Sequence, residues 1–184
     1  MKHYFEKFRG EPGQQPLPRR PVSEIAWSWL GSFIGIYAVY VVNGWLGIAE
    51  HENLYFVGSF GASAVLVYGA PSGDLSQPRN FIGGHLISAA VGVLMHQLVP
   101  GNVALAGALA VSLAIAGMHF TRTLHPPGGA SALIAVIGGP SIHGLGFYYV
   151  LSPVLIGALI MLVVALVVNN LSSAKTRNYP RFWF

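Results

Sequence analysis

No cysteine occurs among the 184 residues, which excludes a disulfide framework, a thiolate metal site and a cysteine nucleophile. Charge is almost as scarce, with Asp, Glu, Lys and Arg making up 9% of the chain against 53% hydrophobic residues. Soluble domains carry roughly a quarter charged residues, so this composition cannot build a water-exposed surface. Between Val22 and Leu171 the charged side chains are Glu24, Glu50, Glu52, Asp74, Arg79 and Arg122, each in or beside a break between apolar runs. Also missing are an acidic pair, a Gly-Lys-Ser phosphate loop and zinc-type His-Glu spacing. No acid lies within the apolar body to orient a histidine toward a serine, and the chain is therefore not expected to be an enzyme.

What is present is apolar sequence of membrane length. A bilayer core of about 30 Å takes roughly 20 helical residues, and segments 22–46, 81–99, 103–120 and 146–171 meet that length. Two shorter segments, 54–70 and 126–139, do not meet it comfortably. An all-α membrane domain over 22–171 follows, with a polar, basic arm at 1–21 and a basic-aromatic tail at 172–184. The arm carries Pro12, Pro16, Pro18 and Pro21 among polar residues and should stay extended until it meets a surface. It has no apolar stretch of the kind found in cleavable signal peptides.

Net charge is +4, and eight of the ten basic residues lie in the arm and the tail. Beside membrane spans this balance fits anionic lipid, at about 1 kcal/mol per basic residue near the surface, rather than nucleic acid. Tyr179, Phe182, Trp183 and Phe184, with Trp27 and Trp29, suit the same interface. The tail reads as a surface anchor.

The short segments carry a duplication. Gly-Ala-Ser-Ala occurs at Gly61 to Ala64 and again at Gly129 to Ala132, and each copy runs on to a proline-serine pair, Pro71-Ser72 and Pro140-Ser141. Paired short or Gly/Pro-interrupted segments in matching positions of two halves point to a transport site. From Gly58 or Pro126, each copy supplies roughly 13 helical residues, about two-thirds of the core. Both are expected to be half-helices entered by extended chain. With six crossings and cytoplasmic termini, every Lys and Arg obeys the positive-inside rule, whereas four full spans with two re-entrant segments would move Arg79 and Arg122 outside. Six crossings make two three-segment repeats, about 22–99 and 102–171, and three is odd, so the second is inverted relative to the first.

Thr121-Arg122-Thr123-Leu124-His125-Pro126-Pro127-Gly128-Gly129-Ala130-Ser131-Ala132, with Gly58-Ser59-Phe60-Gly61-Ala62-Ser63-Ala64 and Gln77-Pro78-Arg79-Asn80-Phe81-Ile82-Gly83-Gly84-His85, closely resembles the His-Pro-Pro (HPP) family of small integral membrane proteins. The resemblance covers about 22–171, with the three motifs in the family's order. It implies a transporter-like protein, and plant and cyanobacterial members are associated with nitrite transport. The family is commonly described with four spans, which the six-segment reading departs from, and this chain lacks the CBS modules that some relatives carry.

A small anion suits the residues themselves. The first turn of a helix offers unpaired N–H groups and a positive dipole end, and Gly58-Ser59-Phe60-Gly61 and Pro126-Pro127-Gly128-Gly129 are suitable first turns. Ser59, Ser63 and Ser131 add hydroxyl donors without fixed charge. The competing reading is that these small residues serve close helix packing. Packing also accounts for Gly31 and Gly35 and for the row Ala104, Ala108, Ser112 and Ala116. His125, just before two prolines, can donate to an anion or change protonation, or else cap a turn. Arg79 with Asn80, Arg122 and, more weakly, His85 are candidates for a mouth or gate, where arginines focus anions electrostatically or simply anchor helix ends.

A rival function is b-type haem binding by His85, His96 and His119, the first two 11 residues apart and on one helix face. Against it, the duplicated element holds no ligand type common to both copies beyond serine. The expectation is thus transport of a small monovalent anion, nitrite first, with no cofactor and no metal. With the interior negative, importing one negative charge costs about 2.3 kcal/mol per 100 mV, so uptake needs a gradient or a coupled cation. Six short spans leave little room for an internal pore, and a homo-oligomer in a bacterial inner (plasma) membrane is expected.

Overall fold

The computed structural model describes residues 18–48 and 50–184, and among the described residues there is helix and no strand. Most of the N-terminal arm, 1–17, lies outside them. The helices are α1 (Val22–Trp45), α2 (Glu50–Gly69), α3 (Pro78–Leu98), α4 (Val103–Thr121), α5 (Gly128–Ile137), α6 (Pro140–Leu145) and α7 (Ile156–Leu171). Val22–Trp45, Pro78–Leu98, Val103–Thr121 and Val150–Leu171 are long and apolar enough to cross a membrane. Local chemistry sets several ends. Pro78 occupies the first turn of α3, where its missing N–H is not needed. Asn102 accepts from the Leu105 N–H at 3.0 Å, and Arg122 closes α4 in the left-handed region at φ 57°.

Segment 146–171, expected to be one helix, is broken. Val150–Leu155 forms a π-helical turn in which Ser152 is extended, with Pro153 inside it. Proline lacks the N–H and crowds the preceding turn, so α7 begins only at Ile156.

The first Gly-Ala-Ser-Ala copy also departs from expectation. It lies in the middle of α2, a 20-residue helix, which at 1.5 Å per residue spans about 30 Å. Gly58 does not open this helix, because Phe56 and Phe60 bury at i,i+4 on either side of it and hold the turn, and a helical glycine costs only about 1 kcal/mol. Helix α2 retraces the length of α1. Ser28 Oγ donates to the Tyr68 carbonyl at 2.8 Å near one end, and Asn43 Nδ2 donates to Asn53 Oδ1 at 3.0 Å near the other. The second copy does open a short helix, since α5 has 10 residues, about half the thickness of a bilayer core.

Contacts at the ends fix the helix directions. Arg79 Nη2 donates to the Thr121 carbonyl at 3.0 Å, joining the start of α3 to the end of α4. Ser88 and Gly84 of α3 meet Gly128, and Gly92 meets Ala132 and Ala135, so α5 runs parallel to α3 and antiparallel to α2. One end of the bundle therefore gathers Arg20, Arg79, Arg122 and the tail, while Glu50 lies at the other.

Packing depends on small residues at close crossings. Gly31 and Gly35 lie against the Tyr68 ring, as the packing reading expects. The row Ala104, Ala108, Ser112 and Ala116 instead faces outward, and Ala106, Ala110 and Ala114, half a turn away on α4, are the buried ones. Backbone approaches backbone where α3 meets α5 and the link before it. A Cβ at Gly84 would stand 2.6 Å from His125 Cβ, one at Gly128 would stand 2.7 Å from Ser88 Oγ, and one at Gly92 would overlap the Ala132 backbone.

The tail is a strap, not only a surface anchor. Arg177 is 1% exposed. Its Nη2 donates to the Tyr68 carbonyl at 2.8 Å and to Asn169 Oδ1 at 2.7 Å, and its Nη1 donates to Ser28 Oγ at 3.0 Å. Burial pulls this guanidinium below its usual pKa, and the Glu24 carboxylate opposes the shift. Tyr179 is buried too, donating to the Ser76 carbonyl at 2.8 Å, while Arg181 N–H donates to Gln77 Oε1 at 2.8 Å. Trp183 and Phe184 stay exposed, as an interfacial role expects.

Overpacking a close crossing costs about 1–3 kcal/mol, so Gly92→Ala should lower the melting temperature in detergent by several degrees, while Gly69→Ala, which meets open space, should not. Arg177→Ala strands buried polar partners at about 1–3 kcal/mol each. It should make trypsin cleave at Lys175 and Arg181 much faster than in the parent protein, read by mass spectrometry.

Candidate functional site

Where α2, α3 and α5 meet, five polar side chains are almost completely buried: Ser59, Ser63, His85, His125 and Ser131, each at 2% exposure or less. Three elements deliver them. Ser59 and Ser63 are one turn apart on α2. His85 sits seven residues into α3, about 10 Å along the helix. His125 closes the extended link 123–125, and Ser131 lies in the first turn of α5. The link can descend this far because Gly84 lets His125 lie on the α3 backbone. Asn80 Nδ2 secures it by donating to the Leu124 carbonyl at 2.9 Å.

The two repeated serines converge on one histidine. Ser63 Oγ lies 2.8 Å from His85 Nε2, and Ser131 Oγ lies 2.8 Å from His85 Nδ1. Ser63 Oγ is also 2.9 Å from His125 Nε2. His125 Nδ1 donates to the Leu75 carbonyl at 2.7 Å. Ser59 Oγ is 3.0 Å from Ser131 Oγ and 3.2 Å from the Pro127 carbonyl. Aromatic faces close the cluster, with Phe60 and Phe81 ring centres 5.0 and 5.4 Å from that of His85. Tyr149 donates to the Ser131 carbonyl at 2.8 Å. Ser88 Oγ, beside Gly128, is buried without a hydrogen-bond partner.

The expected site residues divide accordingly. Ser59, Ser63, Ser131 and His125 come together, and His85, expected only at a mouth, is their centre. Gly128 belongs to the α3–α5 contact. Gly58 is exposed and a Cβ on Gly61 would meet open space, so both lie on the outer face of α2. Pro126 is exposed and, with Pro127 and Ala62, lines an open apolar cleft of about 480 Å³. The first-turn N–H groups expected to hold an anion are paired: Gly128, Gly129 and Ala130 donate to the carbonyls of His125, Pro126 and Pro127 at 2.9 to 3.1 Å. The link's tight turn satisfies these donors locally, and α2 presents no first turn here at all. Side chains, not helix ends, supply the site's polar groups.

Arg79 and Asn80 brace the ends of α4 and of the link, and Arg122 is exposed. The haem set does not assemble. His85 has both ring nitrogens engaged by serines, His96 stacks on His143 with ring centres 3.7 Å apart, and His119 is exposed. Among the described residues no group of three or more His, Cys, Asp or Glu could hold a metal ion.

Sequence reasoning missed Tyr149, the Leu75 carbonyl and the Gly84, Ser88, Gly92 row. The row had a readable signal, small residues at i,i+4 on the helix that carries His85. A polar hollow also escaped it. Ser72, Lys175, Thr176, Asn178, Pro180 and Arg181 line an open space of about 560 Å³ where the strap crosses the loop that holds Leu75.

The profile described as the transmembrane region of HPP matches residues 17–180. A transmembrane protein of Dictyostelium discoideum is 48% identical over 184 residues, covering 98% of this chain and 57% of its own length. A second from the same organism is 44% identical over 184 residues, covering 98% of this chain and 63% of its own length. The chain thus spans about six-tenths of the curated relatives it matches. No solved structure matches it. The match over nearly the whole chain, on the segments that build the buried serine-histidine cluster, makes this chain a member of the HPP transmembrane family.

Proposed function

We propose that the protein transports a small monovalent anion, nitrite first among the candidates, along a path through the Ser59, Ser63, His85, His125 and Ser131 cluster. The observation that carries this reading is the cluster itself. Ionisable side chains inside a membrane bundle are expensive and mark solute or proton pathways, and here two histidines and three serines sit together in its interior. The cluster also lies where an extended link enters a half-length helix, the kind of placement found at transporter sites.

Three features support an anion. The side chains that form the cluster are hydroxyls and imidazoles with no carboxylate among them, and Asp74, next to Leu75 in sequence, is exposed. The hollow on the Leu75 side carries Lys175 and Arg181, which raise the local anion concentration by focusing. Nitrite itself comes from the resemblance of the motifs to the family's nitrite-associated members. The two triplets, α1, α2, α3 and α4, α5, α7, run in opposite directions, which favours inverted units moving against each other around this site. Having Arg79, Arg122 and the tail at one end favours cytoplasmic termini, in an inner or plasma membrane. The outward row on α4 gives small residues for association into a homo-oligomer.

Transport, not catalysis, is the expected activity. Liposomes holding the purified protein should pass nitrite faster than empty liposomes, and His125→Ala should lower the protein-dependent flux by about tenfold or more, one lost transition-state interaction of 1.4 kcal/mol. Equal rates in loaded and empty liposomes for nitrite, nitrate, formate and chloride would remove the reading.

A further inference from the structure

Donor and acceptor accounting gives the cluster a direction. The Leu75 carbonyl can only accept, so the 2.7 Å contact places a proton on His125 Nδ1. In the neutral ring Nε2 is then an acceptor, and Ser63 must donate to it across 2.9 Å. Ser63 has one proton, so the 2.8 Å contact to His85 Nε2 requires that nitrogen to be the donor. His85 Nδ1 becomes an acceptor and takes the Ser131 proton across 2.8 Å. Ser131 is left to accept from Ser59 across 3.0 Å, which Ser59 does when its hydroxyl turns from the Pro127 carbonyl, the competing acceptor at 3.2 Å. One unbroken chain runs from Ser59 through Ser131, His85, Ser63 and His125 to the Leu75 carbonyl, every donor pointing the same way.

We infer that this chain is a proton relay and that the protein moves protons, one accompanying each anion. The co-substrate rests on the transport reading above; the relay rests on the geometry alone. A proton arriving at Ser59 displaces the Ser59 proton to Ser131, and each group passes on the one it holds. His85 takes a proton on Nδ1 and releases one from Nε2, and His125 takes one on Nε2 and releases the one on Nδ1 to a water that replaces the Leu75 carbonyl as its partner; with one water giving a proton to Ser59 and another taking one at the Leu75 loop, the proton count of the chain is unchanged. After passage His125 Nδ1 is bare and faces a carbonyl, two acceptors in contact. That repulsion favours return to the resting direction, so the Leu75 carbonyl resets the relay.

The surroundings suit the role. Facing the histidines are serines from α2 and α5, the Phe60 and Phe81 rings and, across the Ser131 backbone, the Tyr149 hydroxyl. Asp74 is exposed, and Arg79 is committed to the Thr121 carbonyl. A proton on a histidine is therefore the positive charge at hand to neutralise an anion in the cluster. An anion and a proton cross together as a neutral pair, which removes the electrical opposition to anion entry. The relay's far end, the Leu75 carbonyl, lies in the same loop as Ser72, which lines the Lys175 and Arg181 hollow.

The test uses liposomes of the full chain with a pH-sensitive dye inside, nitrite assayed chemically, and potassium with valinomycin to set the membrane potential. Protein-dependent nitrite flux that brings protons with it and ignores the imposed potential is the expected result. Protein-dependent proton entry without flux of any tested anion supports the relay and overturns the anion. Nitrite flux that follows the potential with no proton movement above empty liposomes keeps the transport reading and overturns the relay. No protein-dependent movement of either species overturns both. Ser63→Ala should lower protein-dependent proton entry by about tenfold or more, and Ser63→Thr, which keeps the hydroxyl, should recover most of it. A purely structural Ser63 would leave proton entry unchanged in both variants wherever they fold.

Discussion

The close crossing of α3 and α5 is the contact on which the rest depends. Gly84, Ser88 and Gly92 present a nearly bare backbone to Gly128 and Ala132, with no room for a Cβ at any of the three glycines. In a bilayer the lipid tails are as apolar as the side chains, so helices associate through such fit and through buried hydrogen bonds rather than by leaving water. Because the backbones touch, the 123–127 link is drawn down beside α3 and His125 lies within reach of α2. Separating the helices by one methyl group would lengthen the 2.8 Å contact of His85 with Ser131 at the same time as it loosened the fold.

The residues that hold the fold together are thus the ones proposed to carry its function. The histidines and serines satisfy one another, which is the condition for burying polar groups in a bilayer, and they do so with weak neutral groups that can exchange partners. Under the proposed transport, a fixed ion pair here would hold an anion too tightly to release it. At the end that gathers Arg79, Arg122 and the tail, the strap adds a second polar lock through Arg177, whose partners come from α1, α2 and α7. It braces the loop whose Leu75 carbonyl orients His125.

Much of this was legible in the sequence, and the failures have physical causes. Low charge and apolar length gave the all-helical membrane class directly. The Gly-Ala-Ser-Ala duplication singled out Ser63 and Ser131, and the His-Pro-Pro motif His125, and the structure brings these three side chains together around His85. Gly58 misled, because a glycine reads as a break in one dimension while Phe56 and Phe60 hold the helix through tertiary burial. His85 was undervalued for a similar reason: its partners lie 22 and 46 residues away, beyond any local pattern. Arg177 looked like one more tail cation, since sequence carries no sign that Tyr68 and Asn169 leave acceptors for it. The proline turns at Pro126 and Pro127 predicted a helix start but not that its N–H groups would be consumed locally.

The central claim is that the anion is handled by the paired histidines. Its most direct test is ¹⁵N solid-state NMR of the two rings in lipid bilayers, with and without nitrite. The account predicts His125 protonated on Nδ1 and His85 on Nε2 at rest, and one of the rings protonated on both nitrogens when nitrite is added. Ring signals that stay unchanged at nitrite concentrations saturating the flux would contradict it.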